Sequence, residues 1–273
     1  MSVTHEARSA ATRAKHSTLL EVLARAGFIG YGITHLLVAW LALRIAGGEP
    51  APAGDQSGAL RTLVGQPGGQ VLVWAICVGF AAMAIWQVLE AAVGHRDETG
   101  TRRTFERLAS VGRAGFYGYL GLTARTVAAG SPQTSADKQQ SASAGLLDTA
   151  SGRWTVGLIG IGVLALGVGL VWYGVTRQFE RHLRTGEMST GSRTSARWLG
   201  GIGYVAKGVA YGIAGLLLVV AAWNYDPDKA RGLDGALRAL AAQPYGPVLL
   251  SVVAIGIGFF AAFCFLQARY RKV

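Results

Sequence analysis

Apolar and polar positions alternate along this chain in long blocks. Six stretches are nearly free of charge: Ala24 to Ala46, Gly69 to Val93, Leu108 to Ala129, Trp154 to Thr176, Leu199 to Ala222 and Tyr245 to Leu266. Each reaches the roughly 20 residues that a helix needs to cross a hydrocarbon core about 30 Å thick. The pattern predicts an all-α membrane protein with six transmembrane helices. Composition agrees, because 51% of residues are hydrophobic and only 15% charged, against roughly 25% charged in soluble domains. A soluble protein with buried core helices fits poorly, since such helices seldom recur at this length.

The blocks repeat. Arg25-Ala26-Gly27-Phe28-Ile29-Gly30-Tyr31 is answered by Arg113-Ala114-Gly115-Phe116-Tyr117-Gly118-Tyr119 at a shift of 88, and a second shift of 88 reaches Gly203-Tyr204-Val205-Ala206-Lys207-Gly208. At a shift of 177, Gly58-Ala59-Leu60-Arg61 matches Gly235-Ala236-Leu237-Arg238, and Gln66-Pro67 matches Gln243-Pro244. The chain divides into a basic tail over 1–23, repeats over 24–95, 108–177 and 199–268, and a short tail over 269–273. Each repeat crosses twice, so all three enter from one side. The expected arrangement is three parallel two-helix repeats around a pseudo-threefold axis along the membrane normal, unlike the inverted repeats of many transporters. Repeats one and three are expected to carry a short amphipathic outer helix. In it Ser57 and Asp234 are the N-caps and Leu60, Leu63 and Val64 match Leu237, Leu240 and Ala241 on one face. The middle repeat reads there as a Ser/Thr/Gln-rich loop, Ser131 to Ser143.

With Arg-Ala-Gly-Phe opening odd helices, Gly-Ala-Leu-Arg and Gln-Pro before even ones, and the stretch from Trp86 to Glu90 closing one, the chain resembles a bacterial membrane-protein family. That family is catalogued as domain of unknown function 1206. The resemblance runs from about Leu23 to Ala268 and implies tandem two-helix modules. It implies no catalytic residue, substrate or cofactor.

A net charge of +11 raises the question of nucleic acid, and the placement of the charges answers it. Arg8, Arg13, Lys15 and Arg25 precede the first helix; Arg96, Arg102, Arg103, Arg107 and Arg113 follow the second. Arg177, Arg181, Arg184, Arg193 and Arg197 follow the fourth, and Arg269, Arg271 and Lys272 end the chain. These make seventeen on one side. Eight lie on the other, with Lys207 inside a helix. The positive-inside rule then puts both termini in the cytoplasm, and the family resemblance implies the inner membrane of a bacterium. The basicity reads as topology plus attraction to anionic lipid, and no nucleic-acid partner is expected. Cys77 and Cys264 fall at different depths and are expected as packed thiols. Arg44 and Arg125 are expected to snorkel outward, and Trp40, Trp74, Trp86, Trp172, Trp198 and Trp223 to anchor the interfaces.

Candidate chemistry lies in the odd helices. Steps of four put Gly27, Tyr31, His35 and Ala39 on one stripe, Gly115, Tyr119, Thr123 and Val127 on a second, and Gly203, Lys207, Tyr211 and Gly215 on a third. Polar groups at such depth normally face a protein interior, so the three stripes are expected to face one another near the axis. Lys207 and Glu90 are expected to be able to pair. Glycines at helical spacing, among them Gly208 with Gly212, Gly112 with Gly115 and Gly118, and Gly157 with Gly160, are expected to serve close packing. The sequence has no His-Glu-x-x-His, Cys-x-x-Cys, Walker or Gly-x-Ser-x-Gly motif. No catalytic residue, metal ligand or cofactor is therefore assigned. The leading expectation is a non-catalytic membrane module that binds lipid or partner proteins. The alternative is a small-solute or ion permeation protein with His35, Tyr31, Thr123, Tyr119, Tyr211, Lys207 and Glu90 along a polar pathway. A continuous wet column would favour the pathway, and tight side-chain contact would favour the module.

Overall fold

A computed structural model describes residues 17–94 and 99–272; the expected basic positions Arg8, Arg13, Lys15 and Arg96 lie outside the described residues. Nine α-helices occur among the described residues. They follow one plan three times, long, short, long. Repeat one holds α1 (Thr18–Ala46), α2 (Gln56–Val64) and α3 (Gly69–Val93). Repeat two holds α4 (Gly100–Ala128), α5 (Ser135–Leu147) and α6 (Ala150–Val175), and repeat three holds α7 (Thr190–Asn224), α8 (Gly232–Ala241) and α9 (Gly246–Tyr270). Five of the six long helices are long and apolar enough to cross a membrane. The sixth, α4, has the length but carries Arg102, Arg103, Arg107, Arg113 and Arg125, which dilute its apolar content.

The middle loop expected between Ser131 and Ser143 is instead largely the helix α5. Thr134 caps it, accepting from the Asp137 N–H, while Asp137 accepts from the Thr134 N–H. This reciprocal capping box satisfies two end groups and forms a helix that apolar periodicity alone does not announce. The hydroxyl cap holds the Asp137 carboxyl below its usual range.

Ser57 and Asp234 are not the N-caps. Asp55 caps α2 by accepting from the Gly58 N–H at 2.9 Å, and α8 starts at Gly232. Both helices begin earlier than expected, which frees the two equivalent side chains to reach a neighbouring repeat. The Ser57 hydroxyl accepts from the Ser135 N–H at 2.8 Å, and Asp234 accepts from the Gly54 N–H at 2.7 Å. The arginines of the two Gly-Ala-Leu-Arg motifs do the same. Arg61 donates to the carbonyls of Ser131 and Gln133, both at 2.6 Å, and Arg238 donates to those of Ala51 and Pro52 at 3.3 and 3.5 Å. The middle repeat reaches the third through Gln140, which donates to Asp228 at 2.6 Å. The repeated motif is thus a clasp between short-helix regions, with Leu60 and Leu237 buried beneath.

The long helices follow one another laterally in chain order. α3 packs along α4, α6 along α7, and α9 along α1, each joining an even long helix to the odd helix of another repeat. Within repeats, α1 meets α3 and α7 meets α9, whereas α4 and α6 make at most marginal contact. Glycines permit the closest approach. A Cβ on Gly167 would stand 2.5 Å from the Gly212 nitrogen and 2.7 Å from the Gly208 oxygen, so only glycine fits where α6 crosses α7. Gly112, Gly115 and Gly118 depart from the packing expectation, because a Cβ on each meets open space on the side of α4 that no helix covers.

Trp86 also departs from expectation. The other five tryptophans expected at the interfaces are exposed, but Trp86 is 3% exposed inside the bundle. The gap that Gly27 and Gly79 leave between α1 and α3 brings Phe28 against its ring, with centroids 6.3 Å apart.

Candidate functional site

The first stripe points inward along its whole length. Tyr31 and His35 are each 3% exposed. A polar ring buried in a helix needs a local partner, and His35 Nδ1 donates to the Tyr31 carbonyl one turn back at 2.9 Å. Its ring also lies 4.2 Å from Tyr31 and 4.9 Å from Phe260, centroid to centroid.

Lys207 reaches this group from α7. Its ammonium donates to the Tyr31 hydroxyl and sits over four ring faces: Phe260 at 4.2 Å, Tyr31 at 4.9 Å, Phe116 at 5.6 Å and Tyr211 at 5.8 Å. Ring quadrupoles take the place of a carboxylate. The expected partner Glu90 is elsewhere, its carboxylate folded back beside Gly94 at the end of α3.

On α4 the expected stripe is turned. Thr123 and Val127 are buried, but Tyr119 is 44% exposed and Gly115 faces open space. The reason is the close seat of α4 on α3, where Gly121 approaches Phe80 and Cys77 donates to the Gly121 carbonyl at 3.3 Å. That contact rotates Phe116 and Tyr117 toward the centre, where both meet the Tyr31 ring, at 6.3 and 5.8 Å. Sequence reading by fixed steps missed these two residues, and also Tyr204 and Phe260. The aromatic pair directly after Gly115 was the available signal.

Both ends of this column are closed. At the arginine-rich end, Phe179 and Leu183 are each 1% exposed, and Phe179 stacks near Tyr204 with centroids 5.5 Å apart. The chain end latches on: the Arg184 N–H donates to the Tyr270 carbonyl at 2.7 Å, and the Lys272 N–H donates to the His182 carbonyl at 3.0 Å. Ion pairs fix the rim, among them Glu21 with Arg25 at 2.7 Å, Glu106 with Arg181 at 2.8 Å and Glu180 with Arg197 at 3.1 Å. At the short-helix end, Tyr211 lies near the carboxamide of Gln56, whose nitrogen is buried without a hydrogen bond. Next to it, Asp55 is 3% exposed; one oxygen accepts from Ser57 and Gly58, and the other has no partner. Burial pushes the Asp55 carboxyl above its usual range, against those two hydrogen bonds.

Buried polar groups therefore run from Asp55 to Arg271, but rings in edge contact fill the space between them. Two open, shallow apolar grooves lie instead on the outer surface. One, of about 610 Å³, runs between Trp40, Leu43, Leu63 and Ile255; the other, of about 380 Å³, lies between Gly174, Trp198, Val205 and Val252. Among the described residues, no three His, Cys, Asp or Glu side chains gather at metal-ligating distance.

Comparison with known proteins gives the same threefold division. The model of the family described as Domain of Unknown Function (DUF1206) matches residues 26–94, 108–177 and 202–271. An "Uncharacterized protein YxxB" of Bacillus subtilis (strain 168) is 29% identical over 250 residues, which cover 91% of this chain and 90% of that relative. No solved structure matches the chain.

Proposed function

The chain belongs to the DUF1206 family, and on that premise we propose that it is a non-catalytic module of the bacterial inner membrane that binds lipid or partner proteins. All six long helices cross, α4 included, and the arginine-rich end with both termini is cytoplasmic. The three repeats are related by a pseudo-threefold axis along the membrane normal. Support for the rotation comes from the lateral order of the long helices and from the equivalent clasps of Arg61 and Arg238.

One observation carries the choice of a module over a permeation pathway. The polar residues nearest the axis are in direct contact with aromatic rings: Lys207 sits among Tyr31, Phe116, Tyr211 and Phe260. An ion or solute on that route would have to displace four rings and the Lys207 charge. The outward surface of the middle repeat is the part available for binding. The most apolar stretch of α6 is only 17% buried, against 61% for that of α1.

Flux measurements test this reading. Proteoliposomes are expected to pass potassium, chloride and protons no faster than protein-free vesicles. Flux above that background which falls in His35→Ala would overturn it in favour of the pathway. Crossing by α4 is tested separately, in a protein with Cys77 and Cys264 replaced by alanine. Thr101→Cys and Ser141→Cys, both at exposed positions, are expected to react with an impermeant maleimide from opposite sides. Reaction from the same side would remove α4 from the spanning set.

A further inference from the structure

Two guanidinium groups, that of Arg271 buried and that of Arg113 half-buried, lie near one another at the arginine-rich end, and among the described residues neither has a carboxylate of its own. Arg271 is 6% exposed, and its Nε is enclosed without a partner. What holds its side chain is the ring faces of Phe28 and Trp86, 5.0 and 5.4 Å from Cζ. The Trp86 indole N–H is also buried without an acceptor. Arg113 on α4 lies within electrostatic reach of Arg271 and donates only to neutral groups, Gln87 Oε1 at 3.2 Å and Ser110 Oγ at 2.9 Å. Its acidic neighbour Glu106 is taken by Arg181 at 2.8 Å. Arginine does not escape burial by losing its proton, so two such charges with idle N–H groups call for an anion.

Their position says which anion. Both arginines are within electrostatic reach of the Tyr173 phenol on α6, so they stand where α4 and α6 part. Those are the two long helices of one repeat that barely touch. Beyond them toward the short-helix end, α6 exposes Leu158, Ile159, Ile161 and Leu166. At 1.5 Å per residue, Phe28, Trp86 and Arg113 lie about 25 Å from the short-helix ends of their helices. In a hydrocarbon core about 30 Å thick, that is just inside the headgroups of the far leaflet.

We propose that Arg113 and Arg271, with the Trp86 indole N–H, bind the phosphodiester of an anionic phospholipid whose acyl chains fill the opening between α4 and α6. The forked guanidinium suits a phosphate oxygen pair, and basic pockets between helices on the cytoplasmic side are suited to such headgroups. The proposal rests on the reading of the chain as a lipid-binding membrane module.

Native mass spectrometry and thermal unfolding of the full chain in detergent test it, with phosphatidylglycerol, phosphatidylcholine and inorganic phosphate as separate probes. Phosphatidylglycerol is expected to be retained and to raise the melting temperature, with an affinity roughly tenfold or more above phosphatidylcholine. The double variant Arg113→Gln/Arg271→Gln is expected to lose that preference, and Arg113→Lys/Arg271→Lys to recover part of it. Equal retention by wild type and the glutamine variant would overturn the site. So would stabilisation by inorganic phosphate equal to that by the lipid, which would leave a free-anion site, or a copurifying peptide in place of lipid. If the glutamine variant fails to fold, the phosphatidylglycerol preference of the wild type and of the lysine variant decides. Absence of flux together with absence of lipid preference would leave the module standing and remove only the site; flux with lipid preference would do the reverse.

Discussion

Replacing Asp234 with alanine is expected to loosen the contact between repeats three and one by about 3 to 5 kcal/mol. The carboxylate is 0% exposed, accepts from the Gly54 N–H at 2.7 Å and from Arg238 Nε at 2.9 Å, and lies 3.5 Å from Arg231. Alanine would leave the buried Gly54 N–H without an acceptor, which costs about 1 to 3 kcal/mol. The two arginines are 45% and 37% exposed and regain water, so each pair adds only about 1 kcal/mol or less. The remainder is the space left beneath α8. Asp234→Asn keeps an oxygen for Gly54 and is expected to cost about half as much, and Arg238→Ala about 1 kcal/mol. Reversible unfolding of the purified protein in mixed micelles gives the three values. If Asp234→Ala costs less than about 1 kcal/mol, or if asparagine is as harmful as alanine, the clasp is not set by that acceptor.

Gly167→Leu is expected to separate α6 from α7 and to abolish folded protein in detergent, since even a Cβ would stand 2.5 Å from the Gly212 nitrogen. Gly115→Leu, facing open space, is expected to leave size-exclusion behaviour and melting temperature unchanged; equal damage from both would refute the interface assignment. Asp55 gives a pH dependence. Its folded carboxyl is raised above its ordinary value near 3.8, so its protonated form favours the folded state. That contribution is complete below pH 3.8 and is lost as pH climbs through the raised folded value. Asp55→Asn, which retains a good N-cap, is expected to flatten this part of the stability profile and to match or exceed wild type at neutral pH. Parallel profiles for the two proteins would refute it.

Much of this molecule follows from the order of its residues. Helix length and charge-free runs are local properties, so the long elements were legible, and the matched Gly-Ala-Leu-Arg segments located two of the three short helices. The inward stripe of α1 was legible because buried Tyr31 and His35 share one helical face with Gly27 and Ala39. Tertiary structure decided the rest, because helix rotation is set by partners and not by spacing. The seat of Gly121 on α3 turned Tyr119 away and brought in Phe116 and Tyr117. Lys207 met rings and the Tyr31 hydroxyl in place of Glu90, since Phe260 arrives from a helix more than fifty residues further along the chain. Arg61 and Arg238 became clasps only because folding carries the loops of other repeats to them. Arg271 looked like a basic tail residue, and only the packed bundle shows it buried between Phe28 and Trp86.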